Sequence, residues 1–165
     1  MHHQGYAHLD IKLENILLDA YYNIKVADLG SATYIKDSHG FTELKRGTKF
    51  YLPPEVDSLT EGESYDGYAA DVYTLGITLF LLLTGEFPSN RGMEESDEST
   101  TTSEEFVATE VDSVLDSHIK SKWKSLSPEV KNLLQYMIHP QPFERPTITQ
   151  LIENEWFNTP FEESI

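Results

Sequence analysis

The sequence contains no cysteine. That excludes a disulfide framework and any thiolate metal centre. Cations are scarce: 12 Lys and Arg stand against 28 Asp and Glu, a formal net charge of -16 at pH 7. Such a surface repels nucleic acid and anionic membrane, so neither is an expected partner. Long hydrophobic runs are missing too. The longest, at about 72–83, falls short of the roughly 20 apolar residues that a membrane span needs, and reads as a buried helix. The N-terminus opens Met1-His2-His3-Gln4, without the basic flank and apolar stretch of a secretory signal, so the expected location is cytoplasmic. There is no internal repeat. The six His show no zinc spacing, and His2-His3 reads as an exposed pair.

What is present suits one domain: 165 residues with 39% hydrophobic content can bury a core. Residues 16–18 and 24–27 read as strands around a turn, Asp19-Ala20-Tyr21-Tyr22-Asn23. Residues 31–52 read as a mobile segment with a polar, aperiodic middle at 36–40. A helix over 68–84 is apolar on nearly every face, hence central, and stops at Gly85. Residues 94–105 are only acids, Ser and Thr, so a disordered acidic insertion is expected at 89–105. Three helical patterns follow. Val111, Val114, Leu115, His118 and Ile119 form the first. Val130, Leu133, Leu134, Met137 and Ile138, after Ser127-Pro128, form the second. Ile148, Leu151 and Ile152, behind a capping box of Thr147 with Gln150, form the third. The expected class is α+β, mainly α-helical, with small β-hairpins, over residues 1–158 and followed by a short tail at 159–165.

One stretch concentrates chemistry: His8-Leu9-Asp10-Ile11-Lys12-Leu13-Glu14-Asn15. Thirteen residues on comes Asp28-Leu29-Gly30, at the end of a strand. Two carboxylates and an amide converging near a lysine are what Mg-assisted phosphoryl transfer requires. One Asp takes the proton of an attacking hydroxyl; the other, with the Asn, holds a hard cation that prefers oxygen ligands.

These residues resemble the eukaryotic protein kinase family, whose catalytic loop reads H-R-D-[LI]-K-x-x-N and whose metal loop reads D-F-G. Further matches follow in order. Gly47-Thr48-Lys49-Phe50-Tyr51-Leu52-Pro53-Pro54-Glu55 is similar to G-T-x-x-Y-x-A-P-E. Asp71-Val72-Tyr73-Thr74-Leu75-Gly76 is similar to D-V-W-S-L-G, and Pro142-Phe143-Glu144-Arg145-Pro146-Thr147 to D-P-x-x-R-P-T. The resemblance implies a Ser/Thr protein kinase using ATP and Mg²⁺, with Asp10 as catalytic base and Lys12 neutralising the transferred phosphate. Thr48 would bridge Asp10 and Lys12. Asn15 and Asp28 would hold Mg²⁺, and Gly30 would allow the turn after Asp28. Leu17 would floor the adenine site, although the residue by itself reads as a core leucine. His8, as the first residue of the loop motif, is structural. Asp71 would bind the loop backbone, and Glu55 would pair with Arg145.

Departures set limits on this reading. Leu9 replaces the family's Arg, and Leu29 its Phe. Glu14 resembles a carboxylate that binds substrate arginine, while Leu81 stands where a second acid would be, so the hint of basic substrates is weak. No G-x-G-x-x-G loop and no paired strand lysine occurs. The resemblance therefore covers the C-terminal lobe only, with the N-lobe absent, and activity of this chain alone is not expected. The alternative is a non-catalytic kinase-like scaffold; a regulatory protein partner suits either reading. A small-molecule phosphotransferase sharing only H-x-D-x-x-x-x-N is disfavoured by the downstream motifs.

Overall fold

The computed structural model describes residues 1–88 and 117–158. The expected insertion at 89–105, the helical pattern at 111–115 and the tail at 159–165 lie outside the described residues. Among the described residues six short strands form three antiparallel two-stranded ribbons. β1 (Tyr6–Ala7) pairs with β4 (Thr33–Tyr34), β2 (Ile16–Leu18) with β3 (Ile24–Val26), and β5 (Phe41–Thr42) with β6 (Tyr65–Asp66). The helices are α1 (Pro54–Asp57), α2 (Gly67–Thr84), α3 (Ser117–Ser125), α4 (Pro128–Met137), α5 (Ile148–Ile152) and α6 (Glu155–Asn158). The chain is mixed α and β with helix dominant, in line with the expected class.

α2 is the axis of the fold. Asp66 caps its start, accepting from the Tyr68 N (2.9 Å) and the Ala69 N (3.1 Å). Gly85, with φ +80°, ends it in the left-handed conformation that a side chain disfavours. Between these signals Ala70, Val72, Tyr73, Ile77 and Phe80 are buried, and they feed four separate apolar clusters around the helix. Its hydroxyls turn inward onto its own carbonyls: Thr78 donates to the Thr74 carbonyl and Thr84 to the Phe80 carbonyl, each at 2.8 Å. Eighteen residues at a mean hydropathy of 1.4 match a membrane span by length and composition, but 67% of that window is buried inside the protein. α2 is thus a core helix.

α4 packs across α2. Ser127 accepts from the Val130 N at its start, and Val130, Leu133, Leu134 and Met137 turn inward. α5 opens with the expected capping box: Thr147 and Gln150 each bond the other's backbone. Residues 31–52 differ from expectation. They hold β4 and β5, whose partners lie far off in sequence, with Tyr6 opposite Tyr34 and Phe41 opposite Asp66. A two-residue strand has no period to read, and its pairing is set by tertiary contacts.

The close approach of α2 and α4 needs a missing side chain. A Cβ on Gly76 would lie 2.7 Å from Ile138 Cγ2 and 2.8 Å from Met137 Cβ. Gly76→Ala is expected to destabilise by about 1–3 kcal/mol through overpacking, despite the better helix propensity of Ala. Leu82→Ala, at a 59% exposed site on the same helix, serves as the comparison in thermal melts. Equal melting temperatures for the two variants would refute the packing argument.

Candidate active site

The site begins one turn into α2. The Asp71 side chain is 1% exposed. Its Oδ2 accepts from the His8 N and its Oδ1 from the Leu9 N, both at 2.7 Å. The His2 ring donates a third bond through Nε2, at 2.8 Å to Oδ2. A buried carboxylate needs such donors to offset its lost hydration. His2 is therefore half-buried and engaged, not part of an exposed pair. Leu9 has φ +62°, an uncommon conformation for a bulky residue. Asp71 gripping two consecutive N–H groups holds it there, while the Leu9 side chain is buried with Ala7, Leu52 and Val56.

His8 ties this loop to the β2–β3 hairpin. Its Nε2 donates to the Ala27 carbonyl (3.1 Å) and its Nδ1 accepts from the Asp10 N (3.3 Å), which together fix the tautomer. Asn15 does the same from the other side. Its Nδ2 donates to the Asp10 carbonyl (3.0 Å), and its own carbonyl accepts from the Ala27 N (2.8 Å). Asp28, next along, is exposed at φ +57° and accepts from the Gly30 N (3.2 Å). The hairpin thus brings the Asn15 and Asp28 positions together. Among the described residues no group of three His, Cys, Asp or Glu could hold a metal by itself. The amide oxygen of Asn15 and the carboxylate of Asp28 are hard donors suited to a Mg²⁺ ion that keeps waters or ligand phosphates as its other partners. Leu17 is 52% exposed on β2, so it is not a core leucine.

Asp10, Lys12 and Thr48 form a closed triangle. Lys12 Nζ donates to Asp10 Oδ2 and to Thr48 Oγ1, and Thr48 Oγ1 donates to Asp10 Oδ1, all at 2.8 Å. Burial pushes the Asp10 pKa up, but the hydrogen bonds from Lys12 and Thr48 outweigh it and hold the carboxyl below its ordinary 3.8. The same bond to Asp10 raises the Lys12 pKa against its own desolvation. Asp10 is ionised and Lys12 charged at neutral pH. Sequence alone does not reveal that Tyr51 reaches the same loop: its hydroxyl donates to Glu14 Oε2 (3.0 Å) and accepts from the Leu13 N (3.4 Å).

Residues 47–55 are held at both ends. Gly47, at φ +118°, has room for no Cβ: one would lie 2.6 Å from Leu52 Cδ2 and 3.2 Å from the Leu9 carbonyl. At the far end Arg145 Nη1 donates to Glu55 Oε1 (2.6 Å) and Nη2 to Oε2 (2.8 Å), a bidentate pair. Arg145 also donates to the carbonyls of His139 (2.7 Å), Ala69 (3.2 Å) and Pro140 (3.2 Å), so all five of its N–H groups are used. Its guanidinium lies 4.8 Å from the Tyr73 ring centroid.

The protein kinase domain model matches residues 1–157. CBL-interacting protein kinase 32 of Oryza sativa subsp. japonica is 36% identical over 163 residues, covering 94% of this chain and 32% of the relative. CBL-interacting serine/threonine-protein kinase 26 of Arabidopsis thaliana is 32% identical over 166 residues, covering 99% and 34%. Serine/threonine-protein kinase CHK1 of Mycosarcoma maydis is 33% identical over 159 residues, covering 95% and 22%. The chain spans about a third or less of the length of these relatives.

Two outcomes are expected from this geometry. Arg145→Ala leaves Glu55 without its partner and should cost about 3–5 kcal/mol, whereas Lys49→Ala, at an exposed site, should leave the melting temperature almost unchanged; small and equal shifts would mean that the pair is not structural. The second concerns pH. Because the folded pKa of Asp10 lies below the unfolded 3.8, its stabilising contribution is complete above that pH and is lost as the pH falls through the lower folded value. The melting-temperature gap between wild type and Asp10→Asn should be widest above pH 3.8 and narrow in more acid buffer. A gap that widens on acidification would reverse the sign.

Proposed function

The chain belongs to the protein kinase family, and on that footing we propose that it carries the substrate-accepting and metal-holding part of a Ser/Thr protein kinase. The reaction moves the γ-phosphoryl group of ATP to a protein Ser or Thr hydroxyl. The observation that carries this reading is the Asp10, Lys12 and Thr48 triangle, with an ionised carboxylate beside a cation at the mouth of the loop.

In this reading Asp10 accepts the hydrogen bond of the substrate hydroxyl and takes its proton as the oxygen attacks phosphorus. Thr48 and Lys12 fix the orientation of the carboxylate before substrate arrives, so no reorganisation is needed during the reaction. Lys12, held 2.8 Å from Asp10, offers its charge to the transferring phosphoryl group. Its presence two residues after Asp10 favours Ser and Thr over Tyr acceptors. Asn15 and Asp28 would hold Mg²⁺, which when bound neutralises phosphate charge. Leu17, exposed on β2, would meet the flat face of a purine. The lobe that covers nucleotide phosphates in such kinases has no counterpart in these residues, so the chain by itself is expected to turn over poorly or not at all. Two of the relatives are named for interacting with CBL; a regulatory protein partner of that general kind is part of the proposal.

The full-length gene product, incubated with Mg-ATP and a Ser-containing protein, should transfer label to serine. Asp10→Asn should lower that rate by about 10²–10⁴-fold, the usual worth of a positioned base, with an unchanged far-ultraviolet spectrum. Wild-type turnover in the Asp10→Asn protein would show that Asp10 is not the base, and absence of transfer by the wild-type gene product would favour the scaffold reading, in which the same surface only binds partners.

A further inference from the structure

Positive charge is distributed unevenly on this acidic chain. Of its 12 Lys and Arg, three stand at Lys45, Arg46 and Lys49, and no acid lies between Leu44 and Leu52. All three are exposed. Among the described residues none of them lies within 4.0 Å of a carboxylate. Lys45 Nζ donates to the Asp57 carbonyl (2.6 Å), and Arg46 Nη1 to the Gly30 carbonyl (3.4 Å). Those bonds place the two side chains without neutralising them.

Lys49 sits closest to the chemistry. It occupies a tight turn closed by the Tyr51 N donating to the Thr48 carbonyl at 2.8 Å. On one side of it Thr48 is locked to Asp10 and Lys12. On the other, the Tyr51 hydroxyl is bonded to Glu14 and its ring packs edge-on to Phe87, at 5.2 Å between centroids. Phe50 packs on the same Phe87 at 5.7 Å. The backbone of Lys49 is therefore fixed one peptide unit, about 3.8 Å, from the residue that orients Asp10. Its ammonium has no partner among the described residues.

Two other uses for this charge are less well supported. Acceptor hydroxyls on the same segment are engaged: Thr42 is 8% exposed and accepts from the Leu44 N (3.2 Å), and Ser38 donates to the carbonyls of Ile35 and Phe41. A phosphate on Thr42 would first have to unpair β5, and one on Ser38 would give up both of these bonds. A basic substrate, in turn, would find the Glu14 carboxylate already bonded to Tyr51, and would meet three cations that are not ion-paired among the described residues.

We propose that Lys49, with Lys45 and Arg46, selects substrates carrying an anionic side chain, a carboxylate or a phosphate, within a few residues of the acceptor hydroxyl. The proposal rests on the kinase reading of Asp10. It runs opposite to the weak expectation of basic substrates drawn from Glu14, and the peptide comparison below decides between them.

The test uses serine peptides with flanking Asp and Glu, with a flanking phosphoserine, or with flanking Arg. Binding to the 165-residue chain is followed by fluorescence anisotropy. One or both anionic peptides should bind about tenfold tighter than the arginine peptide, and lose that advantage as salt rises. The tighter of the two names the source of the charge. Lys49→Glu should abolish the preference, whereas Lys124→Glu, the same charge change on α3, should keep it; melting curves confirm that both variants fold. Equal or tighter binding of the arginine peptide, or a preference that survives Lys49→Glu, overturns the inference.

A turnover arm with the full-length gene product separates the two readings. Anionic peptides phosphorylated with the lower KM, a difference lost in Lys49→Glu while kcat holds, support the selection. Faster turnover of arginine peptides overturns the selection and leaves the kinase reading standing. Binding of anionic peptides that depends on Lys49, with no turnover of any peptide, overturns the kinase reading and leaves the anion preference standing.

Discussion

The Asp71 carboxylate is shielded from water and collects three N–H donors from residues 62–69 positions earlier in the chain. The site depends on that arrangement. Desolvation makes the unpaired carboxylate expensive, so the donors are obligatory rather than optional. Two of them are consecutive backbone N–H groups, and presenting both to one carboxylate fits the left-handed turn at Leu9. That turn directs the chain so that Asp10 comes next to Lys12 and Thr48, and His8 and Asn15 reach back to the hairpin. The position of the Asp10 carboxylate thus depends on a buried residue of a helix far along the chain.

A second anchor works by a different principle. Arg145 uses a planar fork, satisfied on every N–H, to hold Glu55 and three carbonyls at once. Lysine offers the same charge without the fork and could not make this set of bonds. The result is that residues 47–55 run from Gly47, where close packing leaves no room for a side chain, to Glu55, held by charge, with Thr48 and Lys49 presented between. Rigidity at both ends of a short segment is what allows one exposed lysine to carry information about a ligand.

Much of this was legible in the sequence because spacing carried it. The strand at 16–18, the stop at Gly85, the capping box of Thr147 with Gln150 and the pairing of Glu55 with Arg145 all stand where they were expected, and the strand expected at 24–27 ends one residue earlier, at Val26. Each is either a local pattern or a motif whose members travel together. The misreadings have a common cause. His2 is drawn to Asp71 by a contact across 69 positions, and β4 and β5 are too short to show a period. The contact of Tyr51 with Glu14 spans 37 positions and follows from no pattern either. Leu17 looked like core because it is apolar; its exposure reflects a ribbon whose outer face nothing in the described residues covers.

The span of these anchors also sets an order of events as the chain is made. A ribosome releases the N-terminal end first, so Leu9 leaves it 62 positions ahead of Asp71, and Glu55 leaves 90 ahead of Arg145. Until each later partner emerges, the backbone of the loop has no carboxylate to hold it, and Leu9 is free to relax to an ordinary conformation. The triangle of Asp10, Lys12 and Thr48 therefore gains its support only after Asp71 has emerged. A chain halted before position 145 would lack the clasp on Glu55, and would present an unpaired carboxylate to the quality-control machinery of the cell.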